Sequence, residues 1–329
     1  MSLPPTTFDE ASRIQSCGDH EYKVNIHADF AWGSVAHGGY LFSLLWNVVG
    51  EHFRTTLASY AQPDTVAMHL ELLRPAPLGD ATVHVKDVRL GKGSSTVHMS
   101  LVHGGKERVV GYATNTNRSK TKGLTIPTGY TLSPPPAPIS FPAVLSNQDP
   151  NYIRYHVPWR PGIKNAALTN ATFALPRTAP SDKGVREQWL CPTLPAEKWT
   201  TPMLGLVIDH CVPPPENFFP NSPHTAQATA DRSALWARDG MPEQHPEWAA
   251  PRFYPTINIG VEVKKNLPAE GVKWLFTRFR MKGLRDGRFD LGCEVWDEGG
   301  ELVAVSQQVW MVVEVDVKAM KKRGPSGKL

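Results

Sequence analysis

Cysteine is scarce in this 329-residue chain, which has four: Cys17, Cys191, Cys211 and Cys293. No two stand in C-x-x-C spacing, which argues against zinc and iron–sulfur frameworks, and their low density fits free thiols in a reducing compartment. Charge of one sign is equally sparse. A net charge of +4 is too small to build the concentrated basic face of a nucleic-acid binder, although it suits an anionic small molecule. Long hydrophobic runs are missing as well: the longest apolar stretch, Gly39–Gly50, is interrupted and too short to span a bilayer. The N-terminus is polar, with no apolar core of a secretory signal. A G-x-S-x-G nucleophile elbow is absent, which argues against a serine α/β-hydrolase. So are a phosphate-binding P-loop, a dinucleotide fingerprint and His/Glu metal spacing, so no cofactor and no metal are expected.

What is present is a statement made twice. Residues 37–47 read His-Gly-Gly-Tyr-Leu-Phe-Ser-Leu-Leu-Trp-Asn, and residues 200–209 read Thr-Thr-Pro-Met-Leu-Gly-Leu-Val-Ile-Asp. Each is a small or helix-starting residue, an apolar run, then one polar side chain: Asn47 in the first copy and Asp209 in the second. An ionisable group late in an apolar helix is costly to bury and invites a functional explanation. Pairing the copies aligns Asn47 with Asp209, Thr65 with Thr256 and Ala113 with Gln308, which predicts a duplicated fold with one live and one degenerate site.

The wider pattern agrees with a duplication. In residues 1–118, a strand at Glu21–Ala28 precedes a helix over Gly38–Phe53, where Tyr40, Leu41, Leu44, Leu45, Val48 and Val49 recur at helical spacing. Strands follow at Val66–Leu73, Ala81–Leu90, Thr96–His103 and Glu107–Thr116, the last two joined by the turn residues His103-Gly104-Gly105-Lys106. Residues 119–184 read as a joining region with an extended proline cluster, Pro134, Pro135, Pro136 and Pro138, and an ordered strand within Asn165–Leu175. Residues 185–329 repeat the plan. A strand at Val185–Cys191 leads to a helix capped by Thr201, with Pro202 at its first position. Strands are expected at Thr256–Lys264, Val272–Lys282, Arg288–Trp296 and Glu301–Val315, with a turn at Asp297-Glu298-Gly299-Gly300. Residues 213–250 interrupt the repeat as a polar, proline-rich insertion with Phe218, Phe219 and Trp236 as anchors. Strand, helix, then antiparallel meander, done twice, defines an α+β class in which each sheet wraps a helix and the sheets meet edge to edge.

With His37-Gly38-Gly39 opening the first helix, Leu73-Arg74-Pro75, the stretch from Val88-Arg89 to Gly105-Lys106, and the three separated polar positions of the second half, the chain resembles the acyl-CoA thioesterase II family. That resemblance implies two tandem hotdog folds. It implies catalytic roles for Asp209 on the second helix, Thr256 in Thr256-Ile257, and Gln308 after Leu302-Val303-Ala304. It also implies an acyl-CoA or acyl-carrier-protein substrate and a homodimer as the expected assembly. The insertion directly after the helix, and His210-Cys211 following Asp209, depart from the family pattern and bear on substrate identity.

In the implied reaction Asp209 is the general base, Thr256 holds the water, and Gln308 orients it or bonds the carboxylate, while helix-start N–H groups receive the thioester oxygen. An acyl-enzyme on Asp209 is a variant. Taken singly, Thr256 reads as a strand former and Gln308 as an outward polar residue, whereas for Asp209 a helix-end group is the lesser reading; their order together points to a site. His37, Gly38, Gly39 and Arg74 are substrate-binding candidates. A capping or core role is the favoured reading of His37, and a structural role that of Arg74, with Lys92 and Arg118 weaker phosphate partners. Trp46, Trp274 and Trp310 read as core. The competing functions are a hydrolase or cyclase acting on carrier-bound polyketide thioesters, and a non-catalytic acyl-binding protein. The terminal Gly-Lys-Leu, after Lys321, Lys322 and Arg323, differs from the peroxisomal Ser-Lys-Leu address by one residue; a solvated basic tail and a cytoplasmic protein are the favoured reading.

Overall fold

The structure is a computed structural model that describes residues 6–120, 122–157, 166–241 and 252–314. Val315, residues 242–250 of the insertion, the basic run at 321–323 and the terminal Gly-Lys-Leu lie outside them.

The first half contains β1 (Ile14–Ser16), β2 (Glu21–Ile26), α1 (Gly38–Arg54), β3 (Asp64–Leu72), β4 (Gly79–Arg89), β5 (Ser94–His103) and β6 (Lys106–Thr116). The second contains β7 (Tyr152–His156), β8 (Ala171–Pro176), β9 (Val185–Pro192), α2 (Leu204–Asp209), α3 (Ala226–Asp239), β10 (Thr256–Val263), β11 (Leu275–Arg280), β12 (Arg288–Trp296) and β13 (Leu302–Met311). One sheet runs through the molecule in the order β1-β2-β4-β5-β6-β3-β10-β13-β12-β11-β9-β8-β7. From β2 to β3 and from β9 to β10 the two halves have the same strand order, and they join antiparallel through β3 and β10. Joining there turns two exposed edges into a paired seam.

The apolar spacing read in α1 is a buried face: Tyr40, Leu41, Leu44, Leu45, Val48 and Val49 are all in the core. Phe42 and Trp46 are buried too, so the helix is enclosed on most sides by the first half of the sheet and by α2. The strands contribute alternate residues to the same core, with Val83 and Val85 from β4 and Val97, Met99 and Leu101 from β5. A second apolar cluster, on the outer face of the second half, contains Trp189, Trp274, Phe276 and Trp296, with Leu132, Ile139 and Phe141 laid over it.

The duplication can be checked in the register. A bulge interrupts β3 between Thr65 and Ala67, and another interrupts β10 between Thr256 and Asn258. Beyond them Met68 pairs with Ala113 as Ile259 pairs with Gln308. Thr65 is therefore the counterpart of Thr256, and Ala113 of Gln308, as the alignment expects. The helices do not obey that alignment. Leu206 N donates to Ser43 Oγ (3.2 Å), and Gly39 N donates to Asp209 Oδ2 (2.6 Å). Gly39 and Gly205 meet each other's carbonyls, and Ser43 and Asp209 each stand four residues further on, so the counterpart of Asp209 is Ser43, one helical turn before Asn47. Asn47 instead donates to Ser12 Oγ (2.9 Å).

Other departures have local causes. Thr200, not Thr201, stands at the N-cap position of the second helical segment, without a side-chain capping bond, and the segment opens as a 3-10 turn over Thr201–Met203; the Thr201 hydroxyl accepts from Leu267 N (2.9 Å) instead. The helix ends at Asp209, far shorter than α1, because Pro213, Pro214 and Pro215 follow and cannot continue it. Residues 119–184, read as a joining region, supply β7 and β8 to the sheet. The proline cluster is mostly exposed but is not a free spacer: Arg278 Nη1 donates to Ser133 O (3.2 Å), and Tyr130 stacks on Trp296. In the insertion, Trp236 packs against the core and Phe219 lies under Arg252, whereas Phe218 is exposed. The amphipathic α3, capped by Thr225 on Ala228 N (3.0 Å), carries no counterpart in the sequence reading.

Gly39 and Gly205 mark where α1 and α2 touch. A Cβ on Gly39 would stand 2.3 Å from Gly205 O and 2.6 Å from Asp209 Cβ. Gly39→Ala is expected to cost about 3 kcal/mol or more, at or beyond the upper end of ordinary overpacking, because backbone cannot yield as a side chain can. Gly50→Ala, in the same helix with nothing within 4 Å, should be neutral or stabilising by about 0.5–1 kcal/mol. Urea midpoints of the two variants test this; equal stability would refute the backbone contact.

Candidate active site

Asp209 is the last residue of α2 and lies against the first turn of α1. Its Oδ2 accepts from Gly39 N (2.6 Å), so one carboxylate oxygen caps a helix N-terminus. Its Oδ1 is buried with no hydrogen-bond partner among the described residues. Burial raises the Asp209 carboxyl from its ordinary range to about 6, against the Gly39 N–H, His210 and the Thr256 hydroxyl, each of which favours the ionised form. Thr256 begins β10 just before the bulge, and both residues line a cavity of about 310 Å³. Trp32, Leu41, Leu72 and Val212 form part of its apolar wall.

His37 is the residue before α1 and makes no side-chain cap. Its Nδ1 is 3.4 Å from Asp209 Oδ2, 19 % of its side chain is exposed, and it lines the cavity. Burial pushes the ring down to about 4, so at neutral pH the contact is dipolar and not an ion pair. The ring stacks on His210 at 5.0 Å between centroids. Both nitrogens of His210 face carbonyls, Nδ1 on Leu206 O (2.6 Å) and Nε2 on Ala167 O (2.8 Å). A neutral ring can donate to only one of them, which favours the charged form, but burial is the larger influence and holds this ring at about 4 as well.

Gln308 is placed differently from the sequence expectation. It is buried in β13 and is not among the cavity-lining residues. Its Nε2 donates to Ile208 O (2.9 Å), and its Oε1 accepts from Trp310 Nε1 (2.7 Å). The amide orientation is fixed by its partners, since an indole N–H only donates and a carbonyl only accepts. Gln308 thus pins the residue before Asp209 from behind. Trp310 is buried as expected, but it also lines the cavity and locks Gln308.

Gly38 lines the cavity, and a Cβ there would lie 3.0 Å from Asp209 Oδ2. As the first residue of α1 its N–H has no intrahelical acceptor. Arg74 stands on the lining, its Nη1 donating to Glu107 O (2.9 Å). Arg118 is structural: Nη1 donates to Lys264 O (3.2 Å), tying the two halves. The residues the sequence reading missed are Glu216, Arg252 and Tyr254, which form a polar patch of the same wall. The only available signal was alternation, since Arg252, Tyr254 and Thr256 fall on one face of an extended segment. Glu216 comes from the insertion and left no such signal.

A metal-compatible group lies away from the cavity: His20, His52 and Asp87 hold their ligand atoms within 4.8 Å of one another. His52 is already engaged, by Nε2 with Asp87 Oδ1 (2.9 Å) and by Nδ1 with Tyr22 OH (2.9 Å). That arrangement braces the end of α1 against β2 and β4.

Two halves of like strand order, each with a helix against its sheet, and a carboxylate where the helices cross, define a tandem hotdog protein of the thioesterase class. The chain belongs to the acyl-CoA thioesterase family. Residues 26–116 match its acyl-CoA thioesterase N-terminal domain and residues 137–312 its C-terminal domain. It is 32 % identical over 345 residues to the thioesterase-like protein TwmA of Talaromyces wortmannii, covering 97 % of this chain and 95 % of that one. Among solved structures it resembles a hot-dog-fold protein of Alicyclobacillus acidocaldarius (TM-score 0.63, 15 % identity, 94 % and 98 % covered). It also resembles the tesB protein of Mycobacterium avium subspecies paratuberculosis (TM-score 0.57, 11 % identity, 93 % and 98 % covered). At such identities these structures speak for the fold alone.

The raised carboxyl of Asp209 has a thermodynamic consequence. Between its unfolded value of 3.8 and its folded value of about 6, the folded chain holds a proton that the unfolded chain has lost. Stability therefore falls as pH rises through this window. Asp209→Asn is expected to stabilise the protein at pH 7.5, on the order of 1–3 kcal/mol, with the gain vanishing near pH 4. Denaturant midpoints at both pH values check it; a variant no more stable at pH 7.5 would contradict the buried-carboxylate account.

Proposed function

We propose that this protein hydrolyses an acyl thioester by direct attack of water, with Asp209 as general base. The observation that carries the reading is the split use of the Asp209 carboxylate. One oxygen is anchored on Gly39 N, and the other is buried, unpartnered among the described residues and beside a cavity that Thr256 also lines. A base near 6 is mostly ionised at neutral pH yet still basic enough to accept a proton from water.

Water placed between Thr256 and Asp209 attacks the thioester carbon as Asp209 takes its proton. The new C–O bond makes a tetrahedral oxyanion, which the Gly38 N–H at the start of α1 can receive. Collapse breaks the C–S bond, and the proton held by Asp209 passes to the departing thiolate, giving acid and free thiol. Neutral His37 polarises the same corner without competing for the proton. Gln308 acts through position, holding the end of α2 so that Asp209 reaches both Gly39 and the cavity.

Acyl-CoA is the leading substrate, by membership of the family. A carrier-bound acyl group is the second reading. It is favoured by Arg74, a candidate partner for a CoA phosphate, whose Nη1 donates to the Glu107 carbonyl instead. Release of thiol from a panel of acyl-CoAs and acyl carrier proteins separates the two. Asp209→Asn should reduce kcat by about a hundredfold or more, the usual scale for a lost general base. In the wild type kcat/KM should climb with pH through about 6 and then level, following ionisation of Asp209. Turnover retained by the Asn variant would remove Asp209 from the mechanism. Tight acyl binding with no turnover on either carrier would leave a binding protein.

A further inference from the structure

The wall of the cavity on the insertion side contains a buried ion pair that thioester hydrolysis does not use. Glu216 lies in the 3-10 turn Pro214–Phe218, within the insertion. Arg252 comes from the short strand Arg252–Phe253, which pairs with Val313–Glu314. Arg252 grips Glu216 in a fork, Nε on Oε1 (2.9 Å) and Nη2 on Oε2 (2.8 Å). The Tyr254 and Ser222 hydroxyls also donate to Glu216. Burial alone would raise the Glu216 carboxyl, but these hydrogen bonds outweigh it and hold the group at about 2. One face of the guanidinium lies on the Phe219 ring, 3.8 Å from its centroid. Only 13 % of the Arg252 side chain and 2 % of the Glu216 side chain are exposed, and both residues line the cavity.

A wall of this kind does not suit a plain hydrocarbon chain. Desolvating an ion pair is costly, and methylene groups packed on it return nothing to its spare donors. The fork uses Nε and Nη2 and leaves Arg252 Nη1 outside it, on a guanidinium held rigid by Glu216 and Phe219. A donor fixed in this way binds an acceptor with little further ordering cost. Because Glu216 already neutralises Arg252, the site favours a neutral oxygen over a carboxylate, which Glu216 would repel.

Arg252 is four residues from Thr256 along a largely extended segment. At about 3.3 Å per residue the two lie no more than roughly 13 Å apart. We propose that Arg252 Nη1 reads a keto or hydroxyl oxygen on the acyl chain, several carbons from the thioester, making this an enzyme for oxygen-bearing acyl groups. This rests on the thioesterase reading and names its substrate class. The insertion then acts as the specificity element, since it supplies Glu216, Ser222 and Phe219 to orient Arg252.

The test separates recognition from hydrolysis by using non-hydrolysable thioether analogues of acyl-CoA, equal in chain length, with a saturated, hydroxylated, keto or terminal carboxylate chain. Calorimetry on the wild type should show the hydroxy and keto chains binding at least about tenfold more tightly than the saturated one, as a charge-assisted hydrogen bond gives. Arg252→Lys keeps the charge but loses the fork, and Arg252→Met loses both; either should bring the ratio close to one. Equal affinities in the wild type, or tightest binding by the carboxylate chain, would overturn the proposal. So would a preference that survives both variants. Absence of turnover on thioesters with this preference intact would sink the hydrolase reading alone.

Discussion

The close crossing of α1 and α2 at Gly39 and Gly205 is the constraint on which the rest of this structure depends. Neither position tolerates a Cβ: on Gly39 it would meet the Gly205 carbonyl at 2.3 Å, and on Gly205 it would meet the Gly39 carbonyl at 2.6 Å. That approach brings the Gly39 N–H within 2.6 Å of Asp209 and sets Ser43 against Leu206 N. A wider crossing would leave a helix N–H and a carboxylate apart and buried, each losing its partner. The same contact that packs the two halves therefore also builds the corner where the proposed chemistry occurs.

Much of the fold was legible because it rests on periodicity. Tyr40 to Val49 recur at helical spacing, and the strands alternate between core and surface, so the class, the helix and the hairpins could be read from the sequence alone. The strand counterparts, Thr65 with Thr256 and Ala113 with Gln308, were legible because the two copies keep the same bulge and register. The helix counterpart was misread by a turn. A helix offers a new candidate for the same face every three or four residues, and only the hydrogen bonds from Gly39 and Leu206 fix which one faces the partner. Gln308 illustrates a different limit: its position followed from order along the chain, but its partners, Ile208 and Trp310, depend on packing between β13 and the end of α2. The polar patch of Glu216, Arg252 and Tyr254 was invisible for the same reason, since it joins an insertion to a strand 36 residues away.

The insertion and the early end of α2 are linked. Prolines after Asp209 stop the helix, so the carboxylate stands at a helix end and not along its side, on the lining of the cavity. The chain that follows returns as the far wall, with Glu216 and Phe219 set about Arg252. Ending the helix and shaping the pocket are thus carried out by one departure from the duplicated plan.

The asymmetry between the halves is deeper than one side chain. Ser43 occupies the position of Asp209, but α1 continues to Arg54 beyond it, where α2 stops. Ser43 is fully buried, its Oγ accepts from Leu206 N, and it lines neither of the cavities that border Asp209 and β8. A carboxylate placed there would be enclosed by helix on both sides, with no open space for water or a thioester. Thr65, the counterpart of Thr256, is buried, and Ala113 leaves nothing to tie the helix from behind as Gln308 does. The long α1 gives the molecule its largest block of core; the short α2 gives it a carboxylate at the edge of a cavity. A single helix position cannot serve both ends, and the duplication lets each half keep one.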